Sequence, residues 1–317
     1  MNYTKNKLSV IIPSRQEQYL NATINDLLKK AEGDIEVIVV LDGYWPTSIV
    51  EDKRVLYIHH GLIHENKGMR AGINKGVALS TGEYIMKIDE HCLMDQGYDR
   101  KLKADCEDNW VVIPRRYRLD AENWKVLEDG RSPIDYMYLA YPYERPLDKT
   151  CGLHGAEWKR PDRKDILIDD TMSWQGSCYF MKRSYWDSLI KELDEVNYGT
   201  FTQEAQEIGN KVWLSGGRLV VNKKTWYAHF HKGKRGKSYN FTTAQYDRHM
   251  ADMERGRLYC IDYWMKTKEY KYDFDWLLNK FSPVPTWPVN WKEQIKIDRL
   301  KDFSTTYQGS YNWREKK

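Results

Sequence analysis

Residues 82–92 read GEYIMKIDEHC. An apolar run through Tyr84, Ile85 and Met86 ends on Asp89, Glu90 and His91, two carboxylates and an imidazole. A short, mostly apolar segment after Ser-Thr-Gly punctuation reads as a buried strand over 83–88. Upstream, LSVIIP (8–13) is a β-branched run closed by proline, and IEVIVVLDG (35–43) is a second one stopped by Asp-Gly. VLYIHH (55–60) is a candidate third. Between the first two, Leu20, Ile24, Leu27 and Leu28 recur at helical spacing, and NKGMRAGINKG predicts a helix over roughly 67–79. Strand–helix–strand alternation of this length predicts a parallel, doubly wound α/β sheet. Ligands of such sheets sit beyond the carboxyl ends of the strands. Residues 13–17, 42–45 and 89–91 fall there.

The chain has 317 residues, 41% of them hydrophobic and 30% charged, which allows one large or two modest globular domains. A net charge of +4 is too small to argue for nucleic acid by itself. The 13 Trp and 23 Tyr fit stacking on sugars or bases, and equally fit plain packing. Five cysteines, scattered and without a CxxC pair, argue against a disulfide framework or zinc knuckle and for a reducing compartment. The N-terminal apolar run is too short for a signal peptide, and no window approaches the roughly 20 apolar residues of a membrane span. The expected location is cytoplasmic.

Beyond residue 113 the stretch 114–170 is polar and weakly periodic. SCYFMKR (177–183) and RLVVNKKTWYAHFH (218–231) then read as strands, with a helix over about 203–214 between them and a charged helical region over about 241–269. FSPVPTWPVNW (281–291) holds three prolines and two tryptophans and reads as an ordered strap. A soft boundary lies in KGKRGKSYN (232–240). The expected organisation is a catalytic domain over 1–231, its nucleotide-binding half at about 1–113 and its acceptor half at about 114–231. A basic loop and a helical, aromatic-rich extension follow over 232–317.

Asp89 and His91, two apart, can face one side at a strand end. One carboxylate oxygen and one imidazole nitrogen suit Mn²⁺ or another borderline divalent ion better than Mg²⁺. Taken alone, D-x-H is equally a strand-end turn with solvated charges. The ordered set SVIIPSRQEQ, EVIVVLDG, NKGMRAGINKG, STGEYIMKIDEHC and WLSGGRL resembles the family 2 type of nucleotide-sugar glycosyltransferases with the GT-A fold, over about residues 7–230. The resemblance implies a Rossmann-like, doubly wound mixed sheet, and an acidic strand-end motif holding the metal that bridges a diphosphate. The usual motif is D-x-D; Asp89-x-His91 looks like the variant of polypeptide N-acetylgalactosaminyltransferases. TQEAQEIGNKVWLSGGRL, WYAHFHK and TMSWQGSCYFMKRSYW are similar to segments of those enzymes, with Gly176 and Ser177 in place of two glycines. By this resemblance His229 is the third metal ligand, with His231 as a fallback. Pro13, Ser14, Arg15 and Asp42 contact the nucleoside of a UDP-sugar, although Leu41 replaces the first of the two acids often found there. Arg70 faces the donor phosphates or base, or is simply a helix surface charge. The absence of an anchor and of lectin-like repeats speaks against a secretory mucin-type enzyme.

The helix at 203–214 bears on mechanism. Inverting relatives begin it Glu-Asp, the aspartate acting as base; here Glu204 is followed by Ala205. The implied alternatives are retention without a dedicated base, which is favoured, or inversion with Glu204 or Glu207 standing in. Both glutamates also fit simple surface pairing with Lys211 or Lys224. Lys232 and Lys234, between glycines, read as a lid for the donor diphosphate or as a solvated basic loop. Trp174 is a candidate acceptor floor, and Asp170 a candidate contact for acceptor or sugar hydroxyls or a loop cap. His59, His60, His64, His154 and His249 read as surface or packing residues. The leading expectation is a Mn²⁺-dependent hexosyltransferase using a UDP-sugar, with a glycan acceptor. Protein and hydroxymethylated bases of phage DNA are alternative acceptors, and a non-catalytic carbohydrate- or nucleic-acid-binding protein is the alternative of another class.

Overall fold

The computed structural model describes residues 3–15, 18–142, 153–231 and 243–296. Its strands are β1 (Thr4–Ser14), β2 (Ile35–Asp42), β3 (Val55–His60), β4 (Gly82–Ile88), β5 (Cys92–Met94), β6 (Trp110–Asp120), β7 (Lys125–Val126), β8 (Met137–Leu139), β9 (Gly155–Glu157), β10 (Ile168–Asp170), β11 (Cys178–Lys182) and β12 (Arg218–His229). The main helices are α1 (Leu20–Lys30), α2 (Met69–Leu79), α3 (Tyr98–Ala104), α4 (Glu195–Tyr198), α5 (Glu204–Leu214), α6 (Thr243–Lys266) and α7 (Phe274–Lys280).

The central sheet runs β10-β12-β6-β11-β4-β1-β2-β3. Strands β3, β2, β1 and β4 are mutually parallel, as their spacing in sequence predicts. The parallel order then breaks. β11 runs antiparallel to both of its neighbours, β12 is parallel to β6, and β10 and β5 are antiparallel to β12. The sheet is therefore the mixed GT-A type, with helices on both faces.

Alternation sorts the side chains. Ile11, Ile85, Val111, Tyr179 and Leu219 point to one face, where α2, α5, α6 and α7 pack. Val10, Met86, Val112, Phe180 and Val220 point to the other, against α1 and α3. Both faces are covered, so the strands read as near-continuous apolar runs.

Two glycines let α2 sit where it does. Gly68 has φ +93°, and a Cβ there would lie 2.5 Å from Thr200. A Cβ on Gly76 would lie 2.5 Å from Ile11 Cγ2, so the helix packs close onto β1.

The stretch 114–170, without readable periodicity, holds most of β6, all of β7–β10 and the small β8–β9 sheet. β6 was hidden because Pro114 interrupts its apolar start and Arg115, Arg116 and Arg118 follow. Pro114 pairs with Asn222, after which the β6–β12 register shifts before resuming at Trp226. A bulge of this kind accommodates the missing N–H.

The expected strap at 281–291 is ordered. Trp287 packs tilted against Phe274 and edge-on against Trp291, and donates its indole N–H to the Leu139 carbonyl at 2.6 Å. Helices α6 and α7 add Cys260, Trp264, Phe274 and Leu277 to the same core cluster as Ile11 and Val111.

Gly76→Val should press α2 away from β1 and lower the unfolding free energy by about 1–3 kcal/mol, as overpacking does. Urea denaturation checks this; an unchanged midpoint would contradict the close approach.

Candidate functional site

The site begins inside β4. Alternation directs residue 87 to the face of α2 and α5, and a lysine stands there, 1% exposed. Lys87 Nζ donates to Asp89 Oδ1 at 2.6 Å and to the Gly176 carbonyl at 2.9 Å, and lies 3.4 Å from Glu204 Oε2. Burial disfavours the ammonium, but the carboxylates of Asp89 and Glu204 outweigh it and hold its pKa above the ordinary lysine value. For Asp89, burial is likewise outweighed by Lys87 and His229, and the carboxyl is held far below its usual range. For Glu204 burial prevails over Lys87, with Asp89 adding to it, and its pKa is raised.

Beyond Asp89 the chain turns and forms β5, three residues that pair with the end of β12 and set Cys92 opposite His229. The Phe230 amide donates to the His91 carbonyl at 3.1 Å, and the Cys92 amide to Thr23 Oγ1 at 3.0 Å. These contacts close a loop of some 140 residues and bring three side chains together. His229 Nε2 lies 3.1 Å from Asp89 Oδ2 and 3.1 Å from His91 Nε2. One ligand atom from each residue falls within 4.8 Å of the others. Burial outweighs Asp89 and lowers the His229 pKa to about 4, so its imidazole is neutral and offers a lone pair. One carboxylate oxygen and two imidazole nitrogens form a donor set that fits Mn²⁺ or a similar divalent ion.

A second group lies at the ends of β1 and β2. Asp42 accepts the Lys67 amide at 2.7 Å and the Gly68 amide at 3.1 Å, at the N-terminus of α2. Arg15 Nη1 donates to the Asp42 carbonyl at 2.8 Å, and its amide donates to Glu90 Oε2 at 2.8 Å. Glu90 is thus structural: it ties β1 to the loop carrying Asp89 and His91.

Both groups open into one cavity of about 400 Å³, a size suited to a small ligand. Of the residues singled out from sequence, Pro13, Ser14, Arg15, Asp42, Asp89, His91, Trp174, Glu204 and His229 line it. Five others stand elsewhere or outside the described residues. Arg70 was expected at the donor; it is 0% exposed, under the site, donating to the Thr202 carbonyl and bonded to Glu207. Glu207, expected as a stand-in base, is 1% exposed and held by Arg70 and Lys211. Asp170 is paired with Arg218 and Lys280 at the β10 edge, far along β12 from His229. Lys232 and Lys234 lie outside the described residues.

The sequence reading missed Lys87, whose signal is a single charge inside an apolar strand. It also missed the contribution of α6, which presents His249, Met253 and Arg257 to the cavity. Their i, i+4, i+8 spacing is the signal for one helix face. His154, read as a surface or packing residue like His249, lines the cavity too.

Residues 9–156 match the family described as Glycosyl transferase family 2. The putative glycosyltransferase EpsH of Bacillus subtilis (strain 168) is 24% identical over 163 residues, covering 50% of this chain and 47% of that protein. Glycosyltransferase GlyA of Streptococcus pneumoniae serotype 4 is 21% identical over 234 residues, covering 70% of this chain and 30% of that protein. The chain thus spans about half or less of the length of these two relatives. Among solved structures, that of GalNAc-T7 with UDP, GalNAc and Mn²⁺ superposes with a TM-score of 0.55 at 14% identity, covering 78% of this chain and 48% of that one. At that identity the likeness concerns the fold.

Removing one partner of a buried ion pair strands the other's charge. Arg70→Met should therefore cost about 3–5 kcal/mol of stability, and adding Glu207→Leu should restore most of it. Urea denaturation of the single and double variants checks this; a fully stable Arg70→Met protein would contradict the buried placement.

Proposed function

We propose, for a chain that carries a family 2-type glycosyltransferase domain with the GT-A fold, that it transfers a sugar from a UDP-sugar to a hydroxyl of a glycan acceptor, with a divalent metal and with retention at the anomeric carbon. The observation that carries this reading is the convergence of Asp89, His91 and His229, within 4.8 Å of one another, on a cavity shared with Arg15 and Asp42.

Asp89, His91 and His229 would hold Mn²⁺, which supplies electrostatic stabilisation of a departing diphosphate. Lys87 fixes one oxygen of Asp89, so the other, Oδ2, stays turned to the histidines. Asp42 and Arg15 stand at the ends of adjacent strands, where a nucleoside would lie. Trp174 lines the cavity, and its aromatic surface suits contact with a sugar ring.

Retention is favoured by what the acidic groups are doing. Ala205 stands where inverting relatives carry the base. Glu207 is consumed by Arg70 and Lys211, Glu90 by the Arg15 amide, and Asp42 by two backbone amides. Glu204 remains, but beside Lys87, and its role is to place that ammonium and the donor sugar rather than to ionise an acceptor.

UDP titrated by calorimetry should bind at least tenfold more tightly with Mn²⁺ than with chelator, and slow UDP-sugar hydrolysis should follow the same metal dependence. His91→Ala and His229→Ala should abolish the metal-linked increment while leaving the chain folded. UDP affinity indifferent to Mn²⁺, or unchanged in both variants, would sink the reading. The anomer formed, read by NMR, tests retention.

A further inference from the structure

Among the described residues, the cavity has three arginine or lysine side chains in its wall, and two are already committed. Lys87 is locked between Asp89 and Glu204, and Arg15 is bonded to the Asp42 and Glu65 carbonyls. The third is Arg257, on α6, outside the segment that matches the family. Arg257 has no hydrogen bond or ion pair among the described residues, although its helix neighbour Arg255 pairs with Asp252.

Its position is fixed by packing rather than by charge. Cys260, Ile261 and Trp264 bury the next turns of α6, and Trp264 Nε1 donates to Tyr198 OH at 2.8 Å. A Cβ on Gly256 would lie 2.5 Å from the Tyr198 carbonyl and 2.7 Å from Thr202, so the helix lies flush on the segment leading into α5. Arg257 thereby joins the cavity lining beside the segment leading into α5, the helix that faces the acceptor in the reading above. An uncommitted guanidinium in a concave wall is suited to take a planar or tetrahedral oxyanion through paired N–H donors.

We propose that Arg257 is a specificity-determining residue that selects an acceptor bearing an anionic group, a carboxylate or a phosphate, next to the hydroxyl that is glycosylated. The proposal rests on the glycosyltransferase reading above. Trp174 lines the same cavity, so a sugar ring and its charged substituent have separate anchors there.

Glucose, glucuronate and glucose 6-phosphate, titrated by ligand-observed NMR into the full chain with UDP and Mn²⁺, test this. At least one anionic sugar should bind tenfold or more tighter than glucose, and which one does so distinguishes carboxylate from phosphate. R257Q should erase that preference while UDP affinity falls less than twofold, and R257K should keep part of it. Metal-linked UDP binding with equal or absent binding of the three sugars overturns this proposal alone. Loss of UDP affinity in R257Q also overturns it, by giving the arginine to the donor diphosphate. No metal-linked UDP binding in the unsubstituted protein overturns both readings.

Discussion

A buried ammonium organises the active end of this molecule. Lys87 sits inside the sheet, where alternation calls for an apolar side chain, and is flanked by Asp89 and Glu204. An isolated charge at that depth would be prohibitive, so its position is tenable only with both carboxylates in place. That requirement couples three elements at once: the end of β4, the start of α5, and the turn at Gly176 whose carbonyl also receives the Lys87 proton. The candidate metal ligand Asp89 is consequently oriented from beneath rather than by the ligands beside it. A site braced in this way is preorganised, because one carboxylate oxygen is spoken for and the other has little freedom.

Much of the fold was legible because buried parallel strands leave an unmistakable trace. LSVIIP and IEVIVVLDG need apolar residues on both faces, VLYIHH forms the half-exposed edge strand beside them, and each became a strand within a few residues of its reading. The convergence of Asp89, His91 and His229 was legible only through resemblance, since nothing local in WYAHFH announces pairing with β5. Arg70 misled because an arginine on a helix surface and an arginine beneath a cavity look identical in a one-dimensional pattern. Its depth is set by Glu207 and the Thr202 carbonyl, more than 130 residues away. β6 was missed for the opposite reason: its proline and arginines are local signals of a loop, overridden by its place between β11 and β12.

The aromatic excess, which sequence left between stacking and packing, resolves largely into packing. Trp186, Trp213 and Trp264 are among the largest fully buried side chains. Tyr272 and Trp276 stack at 4.0 Å, and Trp287 and Trp291 clasp Phe274. Most of this belongs to a layer of C-terminal helices laid over α5. Because α6 also faces the cavity, the cavity draws its lining both from residues 9–156 and from the C-terminal part of the chain.

The order of strands in the sheet has a consequence for how the protein can be made. The two neighbours of β6 in the main strand order, β11 and β12, are translated after residue 156, and β4 gains its second neighbour only with β11. Until residues 178–182 emerge from the ribosome, the growing chain exposes the free edge of β4 and a β6 strand paired only with the two residues of β7. Such edges are templates for association with other chains. The segment that carries the family signature is therefore not a folding unit. Nascent chains halted within it would be clients for chaperones, and the sheet closes from its last-made strands inward.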